Sequence, residues 1–416
     1  MFTSVHGLPY FRFRRIPLSS DSRTAERSGP KASRWIPTAV VWVPPTLSDG
    51  NSRLRISQPE QGGNYRMNAD QILVRADIVR TFCQDVFERA GLSAEVAFGV
   101  ADALIDADLR GVSTHGLVRF PIYVTRLRMG LVNAKPRMQM VRAKGATIVL
   151  DGDNGFGQVI GAAGMRYAVG LAREYGVGLC AIRQGTHLGA LAYIAAMAVP
   201  HQMIGITLTI TNSVIAPWGG VVPKLGNNPL AVAVPAGNRP PIIFDMACSQ
   251  VARGNLILAS KMKKMIPPGW ALDARGRPTE DPDAGLRGSL MPVGGHEGSG
   301  LALIVGILGG LLAGSPFGAG LGDIYDLTRP QRLGHLVMAV NIADCCPLPE
   351  FHRVMEGMID DLKSTPRAEG VEEIWMPGEM EMRRREERLR DGFPVSPVVL
   401  DEVRAAGAEF GVRWPA

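Results

Sequence analysis

The stretch Asp108-Leu109-Arg110-Gly111-Val112-Ser113-Thr114-His115-Gly116-Leu117-Val118-Arg119-Phe120 decides how the rest of the chain is read. Gly111 stops a helix and Ser113 and Thr114 are good N-caps, which predicts a new helix from about His115. Arg119 then lies four residues on and on the same face. An imidazole and a permanent cation placed together, beside a helix end that favours anions, suit a small carboxylate bearing a carbonyl or hydroxyl. Arg119 would grip the carboxylate and His115 would move the proton. The same residues also read as a capped turn with a surface His and Arg, and spacing alone does not choose.

Toward the N-terminus, Ile78, Val79, Phe82, Val86 and Phe87 recur at helical spacing and predict a helix over 76–90, ended by Gly91. Ser93 caps a second helix carrying Val96, Val100, Ala103 and Leu104 up to the motif. Residues 1–66 differ: they hold ten Lys/Arg against four Asp/Glu, include Phe11-Arg12-Phe13-Arg14-Arg15, and show no sustained periodicity. They read as a disordered or misassigned extension, with Met67 opening the patterned chain. The formal net charge of +6 resides in that extension, leaving 35 residues of each sign beyond it. A neutral body argues against nucleic-acid binding.

Toward the C-terminus, strands and helices alternate. A hairpin is expected at 138–141 and 147–150, a helix at 157–175, a strand at 177–182, a helix at 190–199 and a strand at 204–211. Further strands are expected at 230–234, 242–246 and 335–340, with closing helices at 351–362, 379–389 and 396–406. The uncharged stretch 299–322 has seven glycines between 306 and 322, so it predicts a buried core helix of about 14 residues and no membrane span. The expected organisation is a helical N-terminal domain over 67–137 carrying substrate residues, a central α/β cofactor domain over 138–322, and C-terminal strand and helices over 323–416. Five cysteines, an odd number without Cys-x-x-Cys, read as reduced thiols of a cytoplasmic protein. Seven histidines without His-Glu-x-x-His leave no expected metal site.

Several motifs remain. Gly155-x-Gly157-x-x-x-Gly161 is a poor dinucleotide fingerprint, because no acidic residue follows at the distance a βαβ unit needs, and it reads as a glycine turn before a helix. Thr186-His187-Leu188-Gly189-Ala190 repeats the opening arrangement: a strand ends, a hydroxyl caps, and a histidine falls at the start of an apolar helix. Asn212–Gly220 and Leu225–Leu230 are polar, glycine-rich loops after a strand, and Pro292–Gly300 offers free backbone N–H groups of the kind an anion uses.

Together these stretches resemble the malate/L-lactate dehydrogenase family, which includes ureidoglycolate dehydrogenase and diketogulonate reductase. The resemblance runs from about Ala76 to Val412. It is carried by Ala107-Asp108-Leu109-Arg110-Gly111 with Thr114-His115-Gly116, then Thr186-His187-Leu188-Gly189 and Ala216-Pro217-Trp218-Gly219-Gly220. Gly226-Asn227-Asn228-Pro229-Leu230-Ala231, Phe244-Asp245-Met246-Ala247 and Pro268-Gly269-Trp270-Ala271-Leu272-Asp273 follow in order. Gly294-Gly295-His296-Glu297-Gly298 and Pro377-Gly378-Glu379 complete the set.

The resemblance implies a non-Rossmann α/β fold: a mixed-sheet cofactor domain, a helical N-terminal region, and a C-terminal segment packing back on it. It further implies a homodimer that binds no nucleic acid or membrane, and NAD- or NADP-dependent interconversion of a small 2-hydroxy acid and its 2-oxo acid. Carried over by position, His115 and His187 are the acid/base and substrate-orienting histidines and Arg119 grips the carboxylate. Thr114 and Asn212 line the substrate pocket. Thr211, Asp245, Met246, Ala247, Cys248, Ser249, Gln250, His296, Glu297, Pro377, Gly378 and Glu379 fall where the family holds the cofactor. The family usually carries Lys at the position of Glu297 and commonly at that of Asn255. Losing one cation and gaining an anion predicts NAD over NADP, or weaker cofactor binding. Two alternatives stay open, reduction of a cyclic imino acid and a catalytically weak dimer with impaired cofactor binding.

Overall fold

The computed structural model describes residues 71–415, and the expectation for 1–66 lies outside them. β1 (Ile72–Val74) leads into α1 (Ala76–Arg89) and α2 (Ala94–Leu109), the helices that the apolar spacing predicts. Ser93 caps α2 by accepting from the Val96 amide at 3.4 Å. Val79, Phe82, Phe87, Val100 and Leu104 form a core with Phe120, and the rings of Phe87 and Phe120 meet edge to face at 5.2 Å.

No α-helix starts at His115. Two single 3₁₀ turns, Ser113–His115 and Leu117–Arg119, come first, and α3 (Phe120–Arg128) begins after them with Pro121 in its first turn. A proline is tolerated there because its missing N–H would have no helical partner. The reason for the turns is a side chain from the preceding helix, described below.

The hairpin β2 (Gln139–Lys144) and β3 (Thr147–Asp151) is followed by α4 (Gly157–Tyr175), β4 (Val177–Gly185) and α5 (Leu191–Ala195). The helix predicted over 190–199 is shorter than expected and continues as a 3₁₀ segment, Ala196–His201, which contains Pro200. Then come β5 (Met203–Thr209), β6 (Leu230–Ala236), β7 (Arg239–Met246) and α6 (Arg253–Lys261). A small sheet of β8 (Ala271–Leu272), β9 (Pro278–Thr279) and β10 (Ser289–Leu290) accompanies α7 (Pro282–Arg287). After α8 (His296–Gly309) the chain forms β11 (Leu333–Asn341), α9 (Leu348–Ser364), α10 (Glu379–Asp391), β12 (Phe393–Val395) and α11 (Pro397–Ala408).

The main sheet has the order β2-β3-β4-β11-β5-β6-β7, in which only β3 and β4 run parallel. A late strand inserted between β4 and β5 is incompatible with the doubly wound parallel order of a Rossmann domain. The fold is therefore mixed α/β and non-Rossmann. The C-terminal segment packs back as expected: β12 pairs with β1, and Arg385 of α10 bonds Asp106 of α2 at 2.8 Å.

α8 has the predicted 14 residues but not the predicted burial. Its small residues Gly298, Ala302, Gly306 and Gly309 face inward, while Leu303, Ile304, Ile307 and Leu308 are exposed. Close packing explains the choice: a Cβ at Gly306 would stand 2.8 Å from the Asn228 side chain, and one at Gly309 3.0 Å from the Thr209 amide. By length and composition alone, His296–Ala313 is apolar enough to cross a membrane, and 44% of it is buried inside the protein.

Candidate active site

The loop bearing His115 is built on Asp108. α2 ends at Gly111, where a φ of 85° needs glycine, and the Val112 amide returns to the Ala107 carbonyl at 2.8 Å. The buried Asp108 carboxylate then turns under the next residues. It accepts from the Leu117 amide at 2.6 Å and from the Ser113 side chain. One carboxylate thus satisfies both 3₁₀ turns, which is why the chain does not enter a helix at His115. A Cβ at Gly116 would stand 2.1 Å from Asp108 Oδ2, so only glycine fits. Burial pushes the Asp108 carboxyl up to about 6, opposed by the Leu117 amide, Ser113 and Arg388.

His187 reaches the same place from the other side. Its histidine was expected at the first turn of a helix capped by Thr186. Instead it lies in the loop between β4 and α5. Thr186 Oγ1 accepts from the Gly157 amide at 2.9 Å and so caps α4. α5 is capped from a distance by Asp245, which accepts from the Ala192 amide at 2.8 Å. The rings of His115 and His187 stack with centroids 5.4 Å apart and planes 13° apart. Arg119 lies beside them, donating from Nε to the Thr114 carbonyl at 2.8 Å and from Nη1 to the Tyr325 hydroxyl at 2.7 Å.

Both imidazoles are neutral at pH 7, for a reason other than a helix dipole. Desolvation first and Arg119 second pull His115 down to about 4. Desolvation, His115 and Arg119 hold His187 well below the ordinary range. Both side chains sit in a crevice, closely surrounded yet reachable by solvent.

Asn212 joins this pocket indirectly. Its amide donates to Asp323 at 2.8 Å, and Asp323 also accepts from the Tyr325 amide at 2.8 Å and lies 3.6 Å from Arg253. The loop carrying Tyr325 is held by the buried Arg126, which donates to the carbonyls of Ile324 (3.0 Å), Asp326 (2.7 Å) and Arg329 (3.1 Å). Sequence reasoning missed Arg126 and Tyr325, and the hydrogen-bonding roles of Tyr123 and Gln158. The last two reach His187 through a chain of hydrogen bonds. The one visible signal was a lone Arg on an otherwise apolar helical face between Tyr123 and Leu127.

The residues expected to hold the cofactor lie mostly along one groove. Thr211 donates to Asn227 at 2.7 Å, the Cys248 amide to the Asn227 carbonyl at 2.7 Å, and the Gln250 amide to the Met291 carbonyl at 2.7 Å. These bonds bring 211 and 248–250 beside the segment that opens α8, with Met246 and Ala247 half-buried between. Cys248 is buried and its thiol is pushed up to about 11, while Ser249 donates to the Val251 carbonyl at 2.8 Å. His296 and Glu297 stand exposed in the first turn of α8, with His296 6.1 Å from the Trp218 ring.

Pro377 lies against the outer edge of β7, accepting from the Ile243 amide at 2.9 Å, and Gly378 packs on Ile243. Glu379 is already paired with Lys363 at 2.7 Å. Solvent reaches Asp245, yet surrounding atoms push its carboxyl up to about 6 against the pull of the α5 amides.

Gly294 and Gly295 have φ of 61° and 73°, and a Cβ at Gly298 would stand 1.9 Å from the Val293 carbonyl. The tight turn itself requires these glycines, and the N–H groups of the first turn of the 14-residue helix behind it are the kind a phosphate could use. Among the described residues no cluster of three His, Cys, Asp or Glu could hold a metal ion.

The family model for malate/L-lactate dehydrogenase matches residues 74–404. The chain belongs to that family. It is 38% identical to L-sulfolactate dehydrogenase of Methanocaldococcus jannaschii over 79% of this chain and 94% of that protein. Malate dehydrogenase from Entamoeba histolytica superposes with a TM-score of 0.80 at 31% identity, covering 83% of this chain and all of that one (100%). Δ1-piperideine-2-carboxylate reductase from Pseudomonas syringae pvar. tomato superposes with a TM-score of 0.73 at 26% identity, covering 80% and 99%. Relatives in the family carry NAD+ or NADP+ in their names, and this dehydrogenase takes NAD or NADP.

Proposed function

We propose that this dehydrogenase interconverts a small 2-hydroxy acid and its 2-oxo acid. The observation that carries the reading is the stacking of His115 on His187 at 5.4 Å with Arg119 beside them, in a crevice closed to bulk water on most sides. Arg119 binds the substrate carboxylate, giving up the Tyr325 hydroxyl that it now holds. Thr114 and Asn212 line the pocket. His187, and not the His115 to which the spacing gave the proton, meets the oxygen on C2, with the His115 ring stacked on it. A bound NAD(P) supplies or accepts the hydride. Thr211, 246–250 and 296–297 would hold it, with Asp245 and 377–379 on the neighbouring edge of β7, and the first turn of α8 would offer its N–H groups to the phosphates.

The active unit in this reading is an intracellular homodimer, with no nucleic-acid or membrane partner. What supports a second copy is the apolar face of α8 and the turn after it, where Leu303, Ile304, Ile307, Leu308, Leu311 and Leu312 are 38–53% exposed among the described residues. A second reading, reduction of a cyclic imino acid, draws on the likeness to the piperideine-carboxylate reductase, since the same pocket can protonate a C=N nitrogen.

A panel of 2-oxo acids and a cyclic imino acid, each with NADH and NADPH, separates the two. The expected result is turnover of an oxo acid, with kcat/KM falling by about a thousandfold in Arg119→Ala. Wild-type kcat/KM in that variant with every acid tried would overturn the assignment.

A further inference from the structure

We propose that Tyr123 and Gln158 are positioning residues that hold His187, together with the Gly189 amide, in the tautomer carrying its proton on Nε2, so that it meets a 2-oxo acid as a donor. The proposal rests on the reading of His187 as the group that faces the substrate oxygen.

The argument starts at Nδ1 of His187, which lies 2.7 Å from the Tyr123 hydroxyl and 3.4 Å from the Gly189 amide nitrogen. A backbone N–H can only donate, so Nδ1 presents a lone pair. The phenol must then donate to Nδ1 as well. Its oxygen is left to accept from Gln158 Nε2 at 2.8 Å, which sets the orientation of that amide. Turning the amide over would reverse the chain: the phenol proton would go to Gln158, and Nδ1 would need its own proton, directed at the Gly189 N–H. Donor would face donor.

Tyr123 and Gln158 are almost fully buried, at 3% and 1% exposure, so water cannot substitute for either bond. Burial, with Arg119 and His115 alongside, keeps the His187 ring neutral. A neutral ring with a lone pair on Nδ1 has its one proton on Nε2. That nitrogen bonds no described residue and is not among the buried atoms, so it opens to the crevice.

Such a ring needs no prior charging to polarise a carbonyl. As negative charge grows on the substrate oxygen, the Nε2–H bond breaks and an O–H bond forms on the substrate. The phenol O–H breaks in turn and its proton moves to Nδ1. The imidazole ends neutral with its proton on Nδ1. Burial disfavours the phenolate, so once the product leaves, Nε2 takes a proton from water in the open crevice and the Nδ1 proton returns to the phenol oxygen. No other acid is required.

The test uses the full-length protein with 15N-labelled histidine. Long-range 1H–15N spectra at neutral pH report which ring nitrogen carries the proton, with the His187 signals assigned by their loss in His187→Asn. The expected result is a pyridine-like Nδ1 and a pyrrole-like Nε2. A pyrrole-like Nδ1 overturns the proposal, whatever the activity.

In Tyr123→Phe, kcat for the reduction should fall by about 10- to 100-fold with KM for the oxo acid nearly unchanged. An unchanged kcat, or a loss confined to KM, also overturns it. If Tyr123→Phe fails to fold, the wild-type spectrum decides alone. If the wild type turns over no acid, the functional reading falls while the tautomer is still measured.

Discussion

The two sides of the crevice are built on different terms. On the substrate side every reacting side chain is backed by a buried polar partner: Asp108 under the His115 loop, Tyr123 and Gln158 behind His187, Arg126 under the loop of Tyr325. On the cofactor side the side chains of His296 and Glu297 are 70% and 76% exposed, and Asp245 and Glu379 are occupied by α5 and Lys363. One side is set before any ligand arrives. The other offers backbone, glycines and a helix end, and leaves its charges adjustable. Changes on the first side should therefore act through structure, and changes on the second through affinity.

The sharpest way to break this contrast is Gly116→Ala. The new methyl meets a buried carboxylate at 2.1 Å that cannot withdraw without releasing the Leu117 amide. We expect a loss of roughly 2–4 kcal/mol in urea unfolding, by overpacking and a broken buried hydrogen bond together. Turnover should fall with it, because His115 moves. A variant of wild-type stability would show that the Asp108 loop is soft, and the contrast would lose its first half.

The same loop shows what could be read from sequence and what could not. Helix α4 was legible to the residue, because Gly157 and Gly176 bracket an apolar repeat of the right period. The mixed non-Rossmann sheet came from the resemblance, since nothing local announces that β11 inserts between β4 and β5. The pairing of His115 with Arg119 was read from spacing and the addition of His187 came from the resemblance; the three side chains do meet, although the two capped helices do not form.

The misreadings share a cause. Thr186 caps α4 and leaves α5 to Asp245, while the Asp108 carboxylate serves amides up to nine residues away. A cap whose partner lies across the fold leaves no spacing to read. The roles of Tyr123, Gln158 and Arg126 were missed for the same reason, being defined by neighbours 35 to 200 residues distant.

Asp245 is the exception on the cofactor side: it caps α5, so its variant acts through stability, and pH reads it. Burial raises its carboxyl in the folded state to about 6, above the usual carboxylate range. A raised acid contributes stability that is fully present below the unfolded value and is lost as pH rises through about 6. Asp245→Asn keeps an oxygen for the Ala192 amide and removes the charge. Its Tm should exceed that of the wild type at pH 7.5, with the difference shrinking steadily from pH 6 to pH 4. A difference independent of pH would mean that the carboxylate is solvated like any surface acid.

The smallest expected effect, and the most direct probe of the adjustable side, is Glu297→Lys. Glu297 sits in the first turn of α8, where its charge opposes any phosphate drawn to the helix end, and among the described residues the one basic side chain within 4 Å is His296, at 3.9 Å. Because the side chain is largely in water, the exchange of sign is screened and should tighten NADPH binding by only about three- to tenfold at low salt. NADH should gain less, lacking the 2′-phosphate. Fluorescence titrations at low and at high ionic strength would show the gain and its loss with salt. If both affinities stay unchanged, the phosphates do not lie at the start of α8, and the open groove has been assigned to the wrong ligand; if NADPH tightens as expected, one exposed carboxylate is what holds the 2′-phosphate back.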